Sequence, residues 1–233
     1  MHDYAATIIK MLETFRNADR AKKAESYSPT KLEVLGATNP QLKELTRSLK
    51  KEYSGFAPAD WVELARQLTA TDTFECHLLA FMLLEKQKRS LLLLNYDDIF
   101  AMSGGLDNWV LVDTISCYIT GYIWRHGKLT DQQLQEWAVD DNRWIRRMAV
   151  VSTVGLNQKS RGGTGDPDRT LMICEMVVDD HDDMIVKALS WALRELSKSY
   201  PDPVEDFLVA HESQLARRVV REVRRKLETG KKN

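Results

Sequence analysis

Residues 183–199, DMIVKALSWALRELSKS, contain two stripes that repeat with the period of a helix. The apolar stripe steps by four, three and four residues, as expected of a buried helix face: Ile185, Leu189, Ala192 and Leu196. The second stripe has the same steps on another face: Lys187, Trp191, Arg194 and Lys198. The segment therefore predicts an amphipathic helix with a tryptophan on its cationic side.

Similar segments recur along the chain. Phe74, Trp109 and Trp144 lie 35 residues apart, each opens an apolar segment, and Met184 follows Trp144 by 40 residues. WIRRMA at 144–149 aligns with MIVKAL at 184–189 without gaps. Periods of this size indicate stacked helical repeats, which bury their faces against one another. We predict a solenoid with a concave face, although a helical chain without repeats could show the same coincidences.

Residues that interrupt helices are few, since the chain has 11 glycines and 6 prolines, and none of the prolines lies in 59–166. Four prolines follow a capping residue, at Ser28-Pro29, Asn39-Pro40, Asp166-Pro167 and Asp202-Pro203, a pattern that predicts helix starts. No run alternates with the period of a strand. We expect one all-α domain over residues 1–233, with a flexible glycine-rich loop at 159–165. The predicted helices span 3–17, 40–53, 58–69, 73–89, 95–102, 108–125, 131–139, 142–157, 167–178, 183–199, 203–212 and 216–228.

Composition excludes several classes of protein. The chain has 233 residues, 43% hydrophobic and 29% charged, with a net charge of −1, which argues against disorder and against a uniformly cationic nucleic-acid coat. Cys76, Cys117 and Cys174 are too widely spaced for a disulfide framework, so we expect buried thiols in a reducing cytoplasm. The longest apolar run, 78–84, is far shorter than the roughly 20 residues that span a bilayer. We expect a soluble monomer that does not associate with membranes.

A second tryptophan lies on a polar stripe in the segment 108–125. The predicted apolar stripe is Leu111, Ile115, Tyr118 and Tyr122, and the polar one is Trp109, Asp113, Ser116 and Thr120. Residues four apart on a helix are neighbours, so Trp109 flanks the carboxylate of Asp113, and Trp191 flanks Lys187. Each tryptophan could simply cover a neighbouring helix. Two of them on polar stripes favour a site for a developing cation, which an aromatic face attracts.

Cations concentrate in two places. The segment 142–157 opens with Arg143, Arg146 and Arg147, and residues 216–233 have a net charge of +6, leaving −7 for residues 1–215. The C-terminal cations are Arg217, Arg218, Arg221, Arg224, Arg225, Lys226, Lys231 and Lys232. Such a face suits a phosphate backbone, and a merely solvated terminal helix remains an equal alternative.

Other chemistry has no sequence signature here. The histidines form no metal-binding pair, and no phosphate-binding loop or nucleophile elbow is present. The acidic run Asp179–Asp183 lacks the glycines of a calcium loop and predicts a polar turn that caps helices. We expect neither a metal nor a cofactor.

Four segments resemble those of the AlkD-type DNA alkylation-repair glycosylases, which are built from HEAT-like repeats. They are YSPTKLEVLGATNP at 27–40, DNWVLVD at 107–113, DNRWIRR at 141–147 and KALSWALRE at 187–195. The resemblance runs from about residue 5 to 228. It implies a superhelical solenoid of HEAT-like antiparallel helix pairs, whose concave basic face takes duplex DNA.

The resemblance also implies roles for particular residues. Trp109 and Trp191 match the family's active-site tryptophans, Asp113 its catalytic carboxylate, Arg147 its phosphate-side arginine, and Tyr27 an aromatic of the binding cleft. The implied reaction is excision of cationic N3- and N7-alkylated purines from duplex DNA without obligatory base flipping. With the charge pattern, the candidate DNA-binding residues are Arg147, Tyr27, Lys187, Arg194, Arg143, Arg146, Arg218, Arg221 and Arg225. The insertion at 159–165 and the neutral overall charge depart from the family.

Two alternatives from other classes stay open. A non-catalytic HEAT-like protein could bind bent or branched DNA, and it would need no Trp–Asp–Trp set. A peptide-binding scaffold is a third hypothesis, since stacked helical repeats often bind peptides. Retention on heparin that falls with salt would separate DNA binders from such a scaffold.

Overall fold

The structure, a computed structural model, describes residues 4–231. The predicted helix start at residue 3 and the predicted cation Lys232 lie outside the described residues. Contacts divide the chain into two compact units, the first ending at Ile115 and the second beginning at Ser116. That residues 1–233 form a single domain stays a prediction.

Helices make up both units. Those of the first unit are α1 (Tyr4–Glu13), α2 (Ala18–Tyr27), α3 (Asn39–Glu52), α4 (Pro58–Thr69), α5 (Phe74–Glu85), α6 (Lys88–Leu91), α7 (Tyr96–Ser103) and α8 (Trp109–Ile115). The second unit has a π-helical turn (Ser116–Thr120), α9 (Gly121–Arg125), α10 (Asp131–Ala138), α11 (Arg143–Asn157), a 3-10 turn (Lys159–Arg161), α12 (Pro167–Glu175), α13 (Asp183–Leu196), α14 (Pro201–His211) and α15 (Arg217–Thr229). Over residues 4–231 there is no strand, only an isolated bridge between Glu33 and Thr73. The all-α prediction is confirmed.

Local capping explains most helix starts. The hydroxyl of Thr38 and the side chain of Gln41 form a capping box at the start of α3. Asp166 caps α12, which begins at Pro167. Both starts were predicted. The start predicted at Pro203 lies two residues late, since α14 begins at Pro201.

The start predicted at Ser28-Pro29 is wrong. Ser28 instead closes α2, because its backbone N–H donates to the carbonyl of Ala24. The sequence predicts no helix at 18–27, ADRAKKAESY, because no apolar stripe marks it. In the structure α2 accordingly has no buried residue.

The segment predicted as one helix over 108–125 contains a π-helical turn, which changes its faces. Leu111 and Ile115 are buried as predicted. After Ile115 the prediction is wrong: Ser116 and Thr120 are fully buried, whereas Tyr118 and Tyr122 are half-buried. A π turn holds more residues per turn than an α turn, so it rotates the following side chains away from the 3.6-residue period.

The core of the second unit follows the predicted pattern. α11 packs against α13 and α13 against α15, while α10 and α12 cover α11. The predicted apolar stripe of α13, from Ile185 to Leu196, is buried throughout. Phe74, Trp109, Trp144 and Met184 each stand at the first or second position of a helix, as the repeat predicted.

Two smaller predictions concern the cysteines and the length of the apolar helices. Cys76, Cys117 and Cys174 are free and buried, and burial raises the pKa of Cys76 and of Cys174. Among the described helices, none is long and apolar enough to cross a membrane.

Candidate active site and nucleic-acid interface

Two aromatic residues and a carboxylate form a cluster in the first unit. Tyr27, the last residue of α2, is 73% exposed, and its ring meets that of Trp109 edge to face, with centroids 5.3 Å apart. Trp109 opens α8, and Asp113 follows one turn later on the same side of the helix. Trp109 and Asp113 are both half-buried. We call these three residues the aromatic–carboxylate cluster.

The segment before α8 positions this cluster. The carboxylate of Asp107 accepts hydrogen bonds from the hydroxyl of Thr30 at 2.6 Å and the backbone N–H of Lys31 at 2.8 Å. The side-chain oxygen of the buried Asn108 accepts from the N–H of Leu111 at 3.1 Å and so caps α8. The residues just after Tyr27 are thereby tied to the residues just before Trp109. Both anchors lie inside the quoted motif DNWVLVD, but their roles were not predicted.

A buried carboxylate holds the chain between α2 and α3. Glu75 is 2% exposed and accepts backbone hydrogen bonds from Leu35 at 2.9 Å, Gly36 at 2.8 Å and Ala37 at 3.1 Å. Sequence reasoning missed Glu75, because an acidic residue in the first turn of a helix looks like an ordinary dipole partner. In the structure it stabilises the segment that follows Tyr27.

In the second unit, Trp191 is half-buried on α13 and lines a cleft of about 270 Å³. The other lining residues are Arg194, Glu195, Lys198 and Lys226. Lys187, one turn before Trp191, forms an ion pair with Asp183 at 2.5 Å. Trp191 thus lies beside cations, as its stripe predicted, and its catalytic role stays a prediction.

Two of the predicted DNA-binding arginines are largely internal. Arg147 is buried and donates from its guanidinium to the carbonyl of Met184, which joins α11 to α13. The side chain of Arg194 is 11% exposed and donates to the carbonyl of Ser190 at 3.0 Å, with Glu222 at 3.7 Å. Burial lowers the pKa of Arg194. Their phosphate contacts stay predictions.

The acidic run pairs with other predicted DNA-binding residues. Arg143 pairs with Asp182 and Arg146 with Asp180, both at 2.8 Å, and Arg218 lies 3.7 Å from Asp183. Asp182 also caps α13 by accepting from the N–H of Met184, which confirms the predicted capping turn. The run therefore offsets much of the positive charge that the sequence places nearby.

The C-terminal helix α15 presents a row of exposed arginines. Val219 and Val223 are buried, whereas Arg217, Arg221 and Arg225, spaced by four, are exposed. Arg221 and Arg225 thus lie on the outside of α15, as predicted, and their contact with a phosphate backbone stays a prediction. Arg224 differs, because it pairs with Glu212 at 3.1 Å.

We expect Arg221→Ala to weaken binding to any duplex and to lower the slope of log Kd against log salt by about 1, since one phosphate contact is lost. Fluorescence anisotropy over a salt series measures the slope. Arg224→Ala is a matched comparison with a smaller expected effect, because its charge is already paired. An unchanged slope for Arg221→Ala would show that this part of α15 does not contact DNA.

Comparisons with known proteins identify the family and the fold. A model of the DNA alkylation repair enzyme family matches residues 8–227. A solved structure of a predicted DNA alkylation repair enzyme from Enterococcus faecalis shares the fold, with a TM-score of 0.72 and 19% identity over 92% of this chain and 97% of that one. A comparison with curated proteins gave no match. The chain belongs to the DNA alkylation repair enzyme family, and this membership supports a role in DNA repair.

Proposed function

We propose that the protein is a monofunctional DNA glycosylase that releases cationic N3- and N7-alkylated purines from duplex DNA. The observation that carries this proposal is the aromatic–carboxylate cluster. There the partly exposed ring of Trp109 lies one helical turn from Asp113 and against the exposed Tyr27. Membership of a DNA alkylation repair family makes an alkylated base the natural substrate class.

A single carboxylate suits this substrate. The bond from C1′ of the sugar to the purine breaks with both electrons going to the purine, which neutralises its positive ring. No general acid is needed to protonate the leaving group, whereas ordinary glycosidases use a second carboxyl group for that step. Asp113 stabilises the oxocarbenium-like sugar and orients a water whose oxygen bonds to C1′. The water's proton passes to the Asp113 carboxylate.

The aromatic residues contribute through their faces. A ring quadrupole attracts positive charge, and the attraction is stronger where water is excluded. Trp109 therefore stabilises the cationic sugar electrostatically, in the same way as preorganised dipoles do. Tyr27 packs edge-on against Trp109 and limits its movement. We propose a similar role for Trp191, which is half-buried in the second unit.

Affinity for the duplex comes from exposed cations. Arg221 and Arg225 on α15 are exposed and lie one helical turn apart. Arginine donates in a planar fork that matches phosphate oxygens, and backbone contacts of this kind position DNA without reading its sequence. This division assigns binding to the basic helix and bond cleavage to the aromatic–carboxylate cluster.

The test is single-turnover incubation of the wild-type protein with a duplex that contains one 7-methylguanine. We expect free 7-methylguanine and an abasic site in the product, with no release of guanine from the unmethylated control duplex. If the duplex binds but no base is released, the proposal is wrong. The chain would then be a non-catalytic protein that binds DNA by its shape.

A further inference from the structure

The glycine-rich segment 159–165, predicted as a flexible loop, instead folds back onto the end of α11 with a 3-10 turn and backbone hydrogen bonds. The N–H of Gly163 donates to the carbonyl of Gln158 at 3.0 Å, and the N–H of Gly165 donates to that of Leu156 at 3.2 Å. Gly163 is buried, and a Cβ at this position would lie 2.7 Å from the Leu156 carbonyl oxygen. Only glycine allows so close an approach of two backbones. The segment therefore holds Arg161, at the end of its 3-10 turn, in a set place.

Arg161 lies over an aromatic ring. The central carbon of its guanidinium is 3.4 Å from the ring centroid of Tyr118, which belongs to the π-helical turn. Both side chains are half-buried. A guanidinium that stacks on a ring keeps its N–H donors in the plane of the stack, so they can still reach an anion at the edge. The ring of Tyr118 therefore orients the guanidinium of Arg161.

A second arginine contacts a tyrosine ring nearby, at a longer distance. The guanidinium of Arg125 lies over the ring of Tyr122, 5.3 Å from its centroid, and donates to the carbonyl of Gly155 at 3.4 Å. A Cβ on Gly162 would lie only 3.6 Å from the Arg125 side chain, so this arginine adjoins the glycine-rich segment. Two arginine–tyrosine stacks therefore lie along one surface of the second unit.

The two chain segments that supply these arginines contain no acidic residue, although Asp131 and Asp166 follow them directly. Neither residues 114–130 nor residues 142–165 contain an aspartate or a glutamate, although the whole chain has a net charge of −1. Lys128 and Lys159 add two exposed cations to these segments. Exposed cations attract a polyanion, and the attraction decreases as salt increases.

We propose that the glycine-rich segment is a DNA-backbone contact, in which Arg161, oriented by Tyr118, binds a phosphate of the duplex. The inference rests on the proposed function, because that function supplies duplex DNA as the polyanion. Arg161 is a binding residue that adds affinity for the duplex and is not assigned to bond cleavage, and Tyr118 is the residue that positions it. Its planar donors fit phosphate oxygens, and such contacts are independent of base sequence.

The experiment measures binding of an undamaged duplex by fluorescence anisotropy over a salt series. We expect Arg161→Ala to lower the slope of log Kd against log salt by about 1. Arg161→Lys keeps the charge and should keep the slope. Tyr118→Leu should also keep the slope but weaken binding, because it removes the ring that orients the guanidinium. Arg47→Ala is the control, since Arg47 is exposed and already paired with Glu44 at 2.6 Å.

Circular dichroism checks that Arg161→Ala is folded. If the folded variant has the same slope of log Kd against log salt as the wild type, the inference is wrong. If that variant does not fold, Arg161→Gln keeps hydrogen bonding without charge, and an unchanged slope for it overturns the inference equally. Release of 7-methylguanine is measured separately on the same wild-type preparation. Base release with no slope change contradicts only this inference, whereas a slope change without base release supports it and contradicts only the proposed glycosylase function.

Discussion

Asp113→Asn is expected to lower the single-turnover rate constant for release of 7-methylguanine by about 100-fold or more, while the Kd for the duplex stays nearly unchanged. Asparagine has almost the shape of aspartate but no negative charge. It therefore cannot stabilise a cationic sugar or take the proton of the attacking water. Removal of one preorganised electrostatic group typically costs about 10² to 10³ in rate. The change acts on the transition state and leaves the phosphate contacts in place.

Asp97→Asn is the matched control, because Asp97 is an exposed residue in the first turn of α7 and undergoes the same chemical change. Its rate constant should equal that of the wild type. Two results would contradict the assignment of Asp113. One is wild-type release by the variant, and the other is an equal loss of binding and cleavage, which would make Asp113 a residue of the binding surface.

Glu75→Ala should have the largest effect on stability, lowering the free energy of unfolding by about 3 kcal/mol. Glu75 is buried and its carboxylate accepts three backbone N–H groups, from Leu35, Gly36 and Ala37. Without it these donors have no acceptor away from water, and a cavity replaces the side chain. Urea denaturation followed by circular dichroism measures the loss, and the thermal midpoint should fall by about 6–12 °C.

Glu44→Ala provides the comparison, since Glu44 is 64% exposed on its side chain and pairs with the exposed Arg47. An exposed pair of this kind contributes about 0–1 kcal/mol. Glu75→Gln should fall between the two, because it keeps one acceptor oxygen and loses the charge. If Glu75→Ala and Glu44→Ala have equal stability, the hydrogen bonds to Glu75 do not hold the 35–37 segment.

The helices that the sequence predicted well are those with a strong apolar stripe. The stripe from Ile185 to Leu196 correctly predicted the buried face of α13, because helix periodicity is a local property of the chain. α2 has no such stripe and was not predicted. Ser28-Pro29 has the residue types of a helix start, but Ser28 lies at the end of α2. The faces after Ile115 were predicted wrongly, because the π turn that reorients Ser116 and Thr120 leaves no trace in a 3.6-residue pattern.

The candidate site also has one part that the sequence predicted and another part that only the fold reveals. Spacing alone placed Trp109 and Asp113 on one side of a helix. It could not place Tyr27 against Trp109, nor show that Asp107 binds Thr30, because these partners are distant along the chain. Glu75 resembles an ordinary dipole partner in the sequence, and its three donors, about 40 residues before it, are brought to it only by the fold.

The sequence by itself determined the all-α class, the apolar stripes and the excess of cations near the C-terminus, because each depends on residue types at short spacing. Only the tertiary structure decided which cations remain accessible. Arg147 and Arg194 lie largely inside the second unit, whereas Arg221 and Arg225 are exposed on α15. The physical reason is that burial and ion pairing depend on which helix packs opposite, and that choice is made by contacts between residues far apart in the chain.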